Sequence, residues 1–421
     1  MAIEGEAVGA VAPERSVALA PVEEPWSPLT LVTRALRRCD RALDRLLVGR
    51  WWAWRGAATA LVVGMFLAAP PIGGWDHADT PTWRYVLANS GPRLFDPHVD
   101  LHDQRGNLTF RVVPRLIAAA FSFDHQWQYY VVQLAFGVLF LWAAVHLFTE
   151  ALGSQRLGTL LAIATAGTWA GATAWVESRP FFDAIGIALL ALAMRSRRAA
   201  VVAVLALAAT FSDERALIAL PLVLCWHALR PAADQDGADV DGSSTGTGAT
   251  VRRFLGPTSF VLVGVVVAHL AIRTWLKHRY GLSEGQNRYP ENPFTLSRNY
   301  PNGLWGAFEG LWFVVAAGLA TLVHRRRWLA AGLVVLAASG PLLVGVSVID
   351  ISRAIAYAWP LAPVCALGLR GLPERPTRLL VWAATAACLA WPLVYASGDQ
   401  TVDWLYPLPI LLVHLATGVG T

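Results

Sequence analysis

A chain of 421 residues that is 55% hydrophobic and only 15% charged holds more apolar side chain than a soluble core of that length would bury. Its mean hydropathy of +0.46 agrees, and an ordinary soluble domain is excluded. The net charge of +5 would raise nucleic acid as a partner in a soluble protein. Here the basic residues, all arginine save Lys277, cluster at the ends of apolar stretches, where they report membrane orientation, and no nucleic-acid partner is expected.

In chain order, residues 1–28 are rich in Ala, Glu, Pro and Val, with no basic segment leading into a short apolar one, and are expected to be a disordered tail rather than a cleavable signal. Residues 29–50 place Arg34, Arg37, Arg38, Arg41 and Arg45 between apolar residues at helical spacing, which predicts an amphipathic helix lying on the membrane. About 20 apolar residues cross the hydrocarbon core. Stretches of that kind run over 51–70, 127–148, 157–176, 254–275, 304–323, 328–348, 354–369 and 379–396. Shorter ones at 181–194, 199–211, 216–229 and 405–419 are either spans or buried and re-entrant segments. The expected fold is all-α, a polytopic transmembrane helical bundle of about 11–12 spans with a cytoplasmic N-terminus and amphipathic helices in its first outer loop.

The connections fall into two sets. One is basic: Arg34 to Arg50, Arg156, Arg195 to Arg198, Arg230 with Arg252 and Arg253, Arg325 to Arg327, and Arg370 to Arg378, which the positive-inside rule places in the cytoplasm. The other mixes acids with arginine and aromatics and is expected outside: 72–115, 177–183, 212–215, 277–303, 350–357 and 399–404. A Gly, Ser, Thr and Asp-rich stretch makes 230–253 a flexible cytoplasmic linker between an N-terminal half, 51–229, and a C-terminal half, 254–421. The four cysteines, Cys39, Cys225, Cys365 and Cys388, suggest no paired framework.

The outer set carries the residues with chemistry in them. Five aspartates and three histidines crowd into 75–103. Asp76 and Asp79 lie just past the first span, where a carboxylate is placed to act as a general base on an acceptor hydroxyl. Asp96, His98, Asp100 and His102 alternate, so an extended strand would present all four on one face. That mixture suits a divalent cation such as Mn or Zn, and an ordinary polar loop has the same pattern; both readings stay open. Acids precede arginines at segment starts in Glu177-Ser178-Arg179, Asp213-Glu214-Arg215 and Asp350-Ile351-Ser352-Arg353, with Tyr357 one turn beyond. Each pair is either a local ion pair at a helix end or part of one cavity, and the placement of all of them on one side favours a shared site. In 277–303, Arg288 and Arg298 are interleaved with tyrosines and asparagines, a mixture that suits a phosphate and a sugar face.

A first span entering from inside, a long first outer loop opening with an acid, an amphipathic segment near 82–90 and arginines on later outer loops together resemble the GT-C-type integral membrane glycosyltransferases. The resemblance implies a polyprenyl-phosphate sugar as donor, Asp76 as base with Asp79 in reserve, and Arg179, Arg215, Arg288, Arg298 and Arg353 with Tyr357 as residues that hold the substrate. It implies membrane lipid as a partner and a bacterial plasma-membrane location with the site outward. The competing reading is a transporter or flippase of a lipid-linked or small polar substrate, which would show inverted repeats and polar groups at the bilayer midplane.

Overall fold

The computed structural model describes residues 28–70, 80–91, 93–95, 108–231, 247–282, 299–348, 350–396 and 402–417. The N-terminal tail, apart from Pro28, and residues 232–246 of the predicted linker lie outside them. Helix α1 (Pro28–Leu46) is the predicted amphipathic segment. Through Arg45 it belongs to a unit of its own, and residues 46–421 make up the second.

The second unit opens with α2 (Trp52–Leu67), which stops ahead of the Pro70-Pro71 pair, as proline disfavours helix in the residue before it. A short helix, α3 (Pro81–Ala88), follows. Pro81 occupies its first turn, and the Thr80 hydroxyl accepts from the Trp83 N–H. Helices α4 (Val112–Ala120) and α5 (Gln126–Leu152) follow, the latter ending on Gly153 in the left-handed conformation. The apolar stretch 157–176 is a bent pair, α6 (Gln155–Ala166) and α7 (Trp169–Val176), with 57° between them. Then come α8 (Asp183–Arg195), α9 (Ala199–Thr210) and α10 (Arg215–Leu229). The last part of the predicted linker is helical, α11 (Thr247–Phe254), and leads into α12 (Pro257–Tyr280).

In the C-terminal half, 304–323 is also broken. Helices α13 (Tyr300–Phe308) and α14 (Leu311–His324) meet at 83° across Glu309, whose φ of 46° and ψ of −124° are costly for a residue with a Cβ, on the order of 1–3 kcal/mol. Helix α15 (Trp328–Ser347) is continuous. The expected span 354–369 is instead two short helices, α16 (Ile351–Ala356) and α17 (Leu361–Gly368), parted by a turn before and at Pro360. Helix α18 (Glu374–Ala390) stops short of Pro392, so the end of the expected span 379–396 is strand β1 (Val394–Ala396). It pairs antiparallel with β2 (Val402–Trp404), Tyr395 opposite Asp403. Helix α19 (Leu408–Thr417) buries none of its residues.

Among the described residues three helical stretches are long and apolar enough to cross a membrane, Gln126–Leu152, Val251–Tyr280 and Trp328–Ser347, and up to five if each bent pair is one span. Helix α12 turns Phe260, Val263, Val267 and Leu270 outward, and α15 does the same with Leu336 and Leu343. Apolar surface on that scale belongs in lipid, and the chain is a membrane protein.

Helix α8 lies deep in the packing. It touches α5, α7, α9 and α10, and nearly every residue in it is buried. Glycines let helix backbones close in: between α5 and α7 a Cβ on Gly137 would lie 2.3 Å from that of Ala174, and between α14 and α17 one on Gly318 would lie 2.1 Å from the Cys365 carbonyl oxygen. At 13 residues α8 is about 20 Å long, and it joins two differently charged ends. At its C-terminal end Arg197 pairs with Glu150 at 3.1 Å, while Arg230 donates to the Met194 and Ser196 carbonyls, both at 3.2 Å. Its N-terminal end carries Asp183, and there the site is built.

Candidate functional site

The connection from α7 to α8 makes a sharp reversal. Phe182 takes a left-handed φ of 62° and is held there by burial against the rings of Trp83 and Tyr129. That turn leaves Asp183 at the head of α8, pointing into protein. Its Oδ1 accepts from Arg215 Nη2 at 2.6 Å and from the Tyr357 hydroxyl at 3.4 Å, and its Oδ2 accepts from Arg353 Nε at 2.6 Å. Gly186, one turn on, gives the tyrosine its room, since a Cβ there would stand 2.7 Å from the hydroxyl oxygen.

The other acids and arginines join through the same groups. Asp213 accepts from Arg215 Nε at 2.8 Å and Nη2 at 2.7 Å, and pairs with Arg111 at 2.9 Å. Glu177 takes a two-pronged contact from Arg179, 2.7 Å at each oxygen, and faces Arg353 at 3.6 Å. Asp350 accepts from Arg353 Nη1 at 2.6 Å and from the Tyr395 hydroxyl in a short hydrogen bond. Phe181 lies among the cations: its carbonyl accepts from Arg111 at 2.7 Å, and the Arg353 and Arg179 guanidiniums sit 3.7 and 4.9 Å from its ring centre. With Glu214, which pairs with Arg111 at 3.4 Å, four guanidiniums face five carboxylates.

Electrostatics follow from that company. Burial opposes the charge on Asp213, yet Arg111 and Arg215 hold its carboxyl well below the usual carboxylate range. Asp350 is opposed by burial in the same way and held down by Arg353 and the Tyr395 hydroxyl. The interior is closed, with the Asp183, Asp213, Glu177 and Arg353 side chains at most 2% exposed, whereas the Arg179 and Asp350 side chains are 44% and 32% exposed. The network therefore has a buried body and an open edge made of Arg179 and Asp350, both hydrogen-bonded to the buried Tyr395, while Glu214 beside Arg111 is 39% exposed. At that edge a carboxylate can accept a proton and a guanidinium can meet an anion.

Of the residues singled out from the sequence, Arg179, Arg215, Arg353 and Tyr357 come together here. Their carboxylate neighbours occupy them already: Arg353 and Tyr357 are fully buried, and Arg179 is the member of this group that stays exposed. Asp76, Asp79, Asp96, His98, Asp100, His102, Arg288 and Arg298 lie outside the described residues. Among the described residues no group of three His, Cys, Asp or Glu side chains is placed to hold a metal ion. The sequence pattern does not single out Arg111 or Tyr395. Arg111 is set by a turn ahead of α4, which the buried Arg115 braces by donating to the Leu94 carbonyl at 2.9 Å and to the Arg111 and Thr109 carbonyls. A cavity of about 520 Å³ opens at the opposite end of α8, between His146, Glu150 and Arg195 to Arg198, away from this network. No protein-family model, curated protein or solved structure matches the chain.

Proposed function

We propose that the chain is a multi-pass membrane glycosyltransferase that moves a sugar from a polyprenyl-phosphate donor to an acceptor on the outer face of the membrane. The observation that carries this reading is the open edge of the acid and arginine network, at the opposite end of α8 and α10 from the basic cluster around Arg197 and Arg230. By the positive-inside rule the basic end is cytoplasmic, which puts the edge outside. In this reading the short helices α8 to α10 complete a bundle of about 11–12 spans, with α8 held in protein rather than in lipid.

The reaction needs a base and a group that stabilises the leaving phosphate. The acceptor hydroxyl attacks the anomeric carbon, its proton passes to a carboxylate, and the bond from that carbon to the phosphate oxygen breaks. Asp76 is the base, with Asp79 in reserve. Arg179, backed by Glu177 and stacked on Tyr395 at 5.1 Å, meets the negative charge that develops on the phosphate, and Arg288 and Arg298 add to it. Arg215, Arg353 and Tyr357 keep that edge in place from behind. Proteoliposomes holding the protein are expected to transfer label from a polyprenyl-phosphate sugar to a soluble acceptor, and Asp76→Asn to abolish transfer at normal expression. Full activity of that variant would remove Asp76 from the role.

The two bent helix pairs favour a second reading, a transporter or flippase, because interrupted spans are how such proteins build sites at membrane depth. Passage of a labelled lipid-linked sugar between leaflets with no change in its covalent structure would select it.

A further inference from the structure

Glu309 stands apart from the network. It is 0% exposed, it sits at the 83° break between α13 and α14, and neither carboxylate oxygen has a hydrogen-bond partner among the described residues. The Trp305 indole N–H, one turn earlier, is likewise buried and without a partner among them. The geometry points to Glu309 as a proton-binding site inside the bundle, neutral in the packed conformation and able to give up its proton when the break moves. This rests on membrane embedding and not on either reading of the function.

Three observations support it. An ionised carboxylate with no partner is among the most costly things to bury, and a single proton removes that charge. A bound metal ion would need further ligands, and among the described residues no cluster supplies them. The break is also backed by a second one. A Cβ on Gly310 would lie 2.0 Å from the Ala384 carbonyl oxygen of α18, and a Cβ on Gly167, at the break between α6 and α7, would lie 3.0 Å from the Cys388 carbonyl oxygen one turn further along. Both interrupted pairs thus bear on adjacent turns of α18, so movement of α18 changes what surrounds Glu309.

Of the ionisable groups on the elements packed around it, Glu374, Arg375 and Arg378 of α18, Arg156 of α6 and His324 of α14 lie at the far ends of their helices. Cys388 on α18 is within electrostatic reach of the carboxyl, and its thiol turns to the Phe308 carbonyl at 3.9 Å. Cys365 on α17 lies against Gly318 of α14. Tyr395 on β1 and Arg353 on α16 are committed to the network, while α7 brings Trp169 and no charge.

Dicyclohexylcarbodiimide, which modifies protonated carboxyls in apolar surroundings, tests the assignment on the full-length protein in lipid nanodiscs. The adduct is located by mass spectrometry over a range of pH, in sodium chloride and in choline chloride. The expected result is an adduct on the peptide containing Glu309 that falls about tenfold per pH unit above its titration point and is equal in the two salts. Glu309→Gln, which keeps the shape of the neutral acid, is expected to lose the adduct and keep the thermal midpoint. No adduct on this peptide at acidic pH, an adduct indifferent to pH, or protection by sodium would overturn the proposal. The labelling of the unmodified protein decides the matter even if the variant fails to fold.

Discussion

Asp183 and Glu309 are hidden to the same degree, at 1% and 0% exposure, yet they are kept in opposite ways. Asp183 is met by Arg215, Arg353 and Tyr357, and every acid near it pairs with at least one of the four shared guanidiniums. Glu309 is met by apolar packing, a thiol and a strained backbone. A carboxylate inside a low-dielectric body is retained either by supplying its counter-charges or by removing its charge. The first solution locks several chain segments to one another. The second leaves a group whose charge can change with the conformation around it. The network is thus suited to holding a site still, and the break at Glu309 to moving.

Breaking the network should therefore do far more damage than neutralising Glu309. Arg353→Met removes the cation shared by Asp183 and Asp350 and facing Glu177, leaving a surplus of buried negative charge. The expected cost is about 3–5 kcal/mol, read from unfolding of the protein in mixed micelles. Adding Asp183→Asn to that variant should recover part of the loss, since the unpaired charge goes with it, and the double-mutant cycle would give a coupling that Glu309→Gln lacks. A loss for Arg353→Met no larger than that of Glu309→Gln would erase the distinction.

Much of this network is legible in the sequence, because an acid followed by an arginine at the start of an apolar stretch occurs three times on one set of connections. What spacing cannot supply is the mutual pairing. Arg215 bonds Asp183 from 32 residues away and Arg353 from 170, and these distances belong to the tertiary packing of α8. Arg111 is hidden for another reason: it lies in a long polar interval with several other arginines and no periodicity to mark it. Tyr395 is masked by hydropathy, which runs smoothly through 379–396 and registers Pro392 only weakly, although the chain there turns from helix to strand. The same averaging absorbs Glu309 into an apolar stretch. The break at Glu309 comes from φ and ψ values that no propensity favours, held by the contact of Gly310 with α18.

Acid separates the two regions next. Asp213 and Asp350 titrate below the ordinary carboxylate value in the folded protein, so the stability they lend is complete above about pH 4 and is lost as pH falls through their folded values. The thermal midpoint in nanodiscs should drop on that acid limb, and the drop should be the same in Glu309→Gln. A midpoint flat to strong acid would mean that these two carboxylates are not held down by their arginines.

The mildest expected change is at the open edge. Tyr395→Phe removes one hydroxyl that donates to Asp350 and receives from Arg179, while the ring on which Arg179 stacks remains. Stability should fall by about 1.5–3 kcal/mol, the net worth of a hydrogen bond to a charged group. On the proposed function, sugar transfer should fall more than stability does, because the hydroxyl fixes the spacing between the exposed carboxylate and the exposed guanidinium, and the buried arginines behind them are untouched. Equal losses in both would make Tyr395 a packing residue and would move the working edge of the network elsewhere.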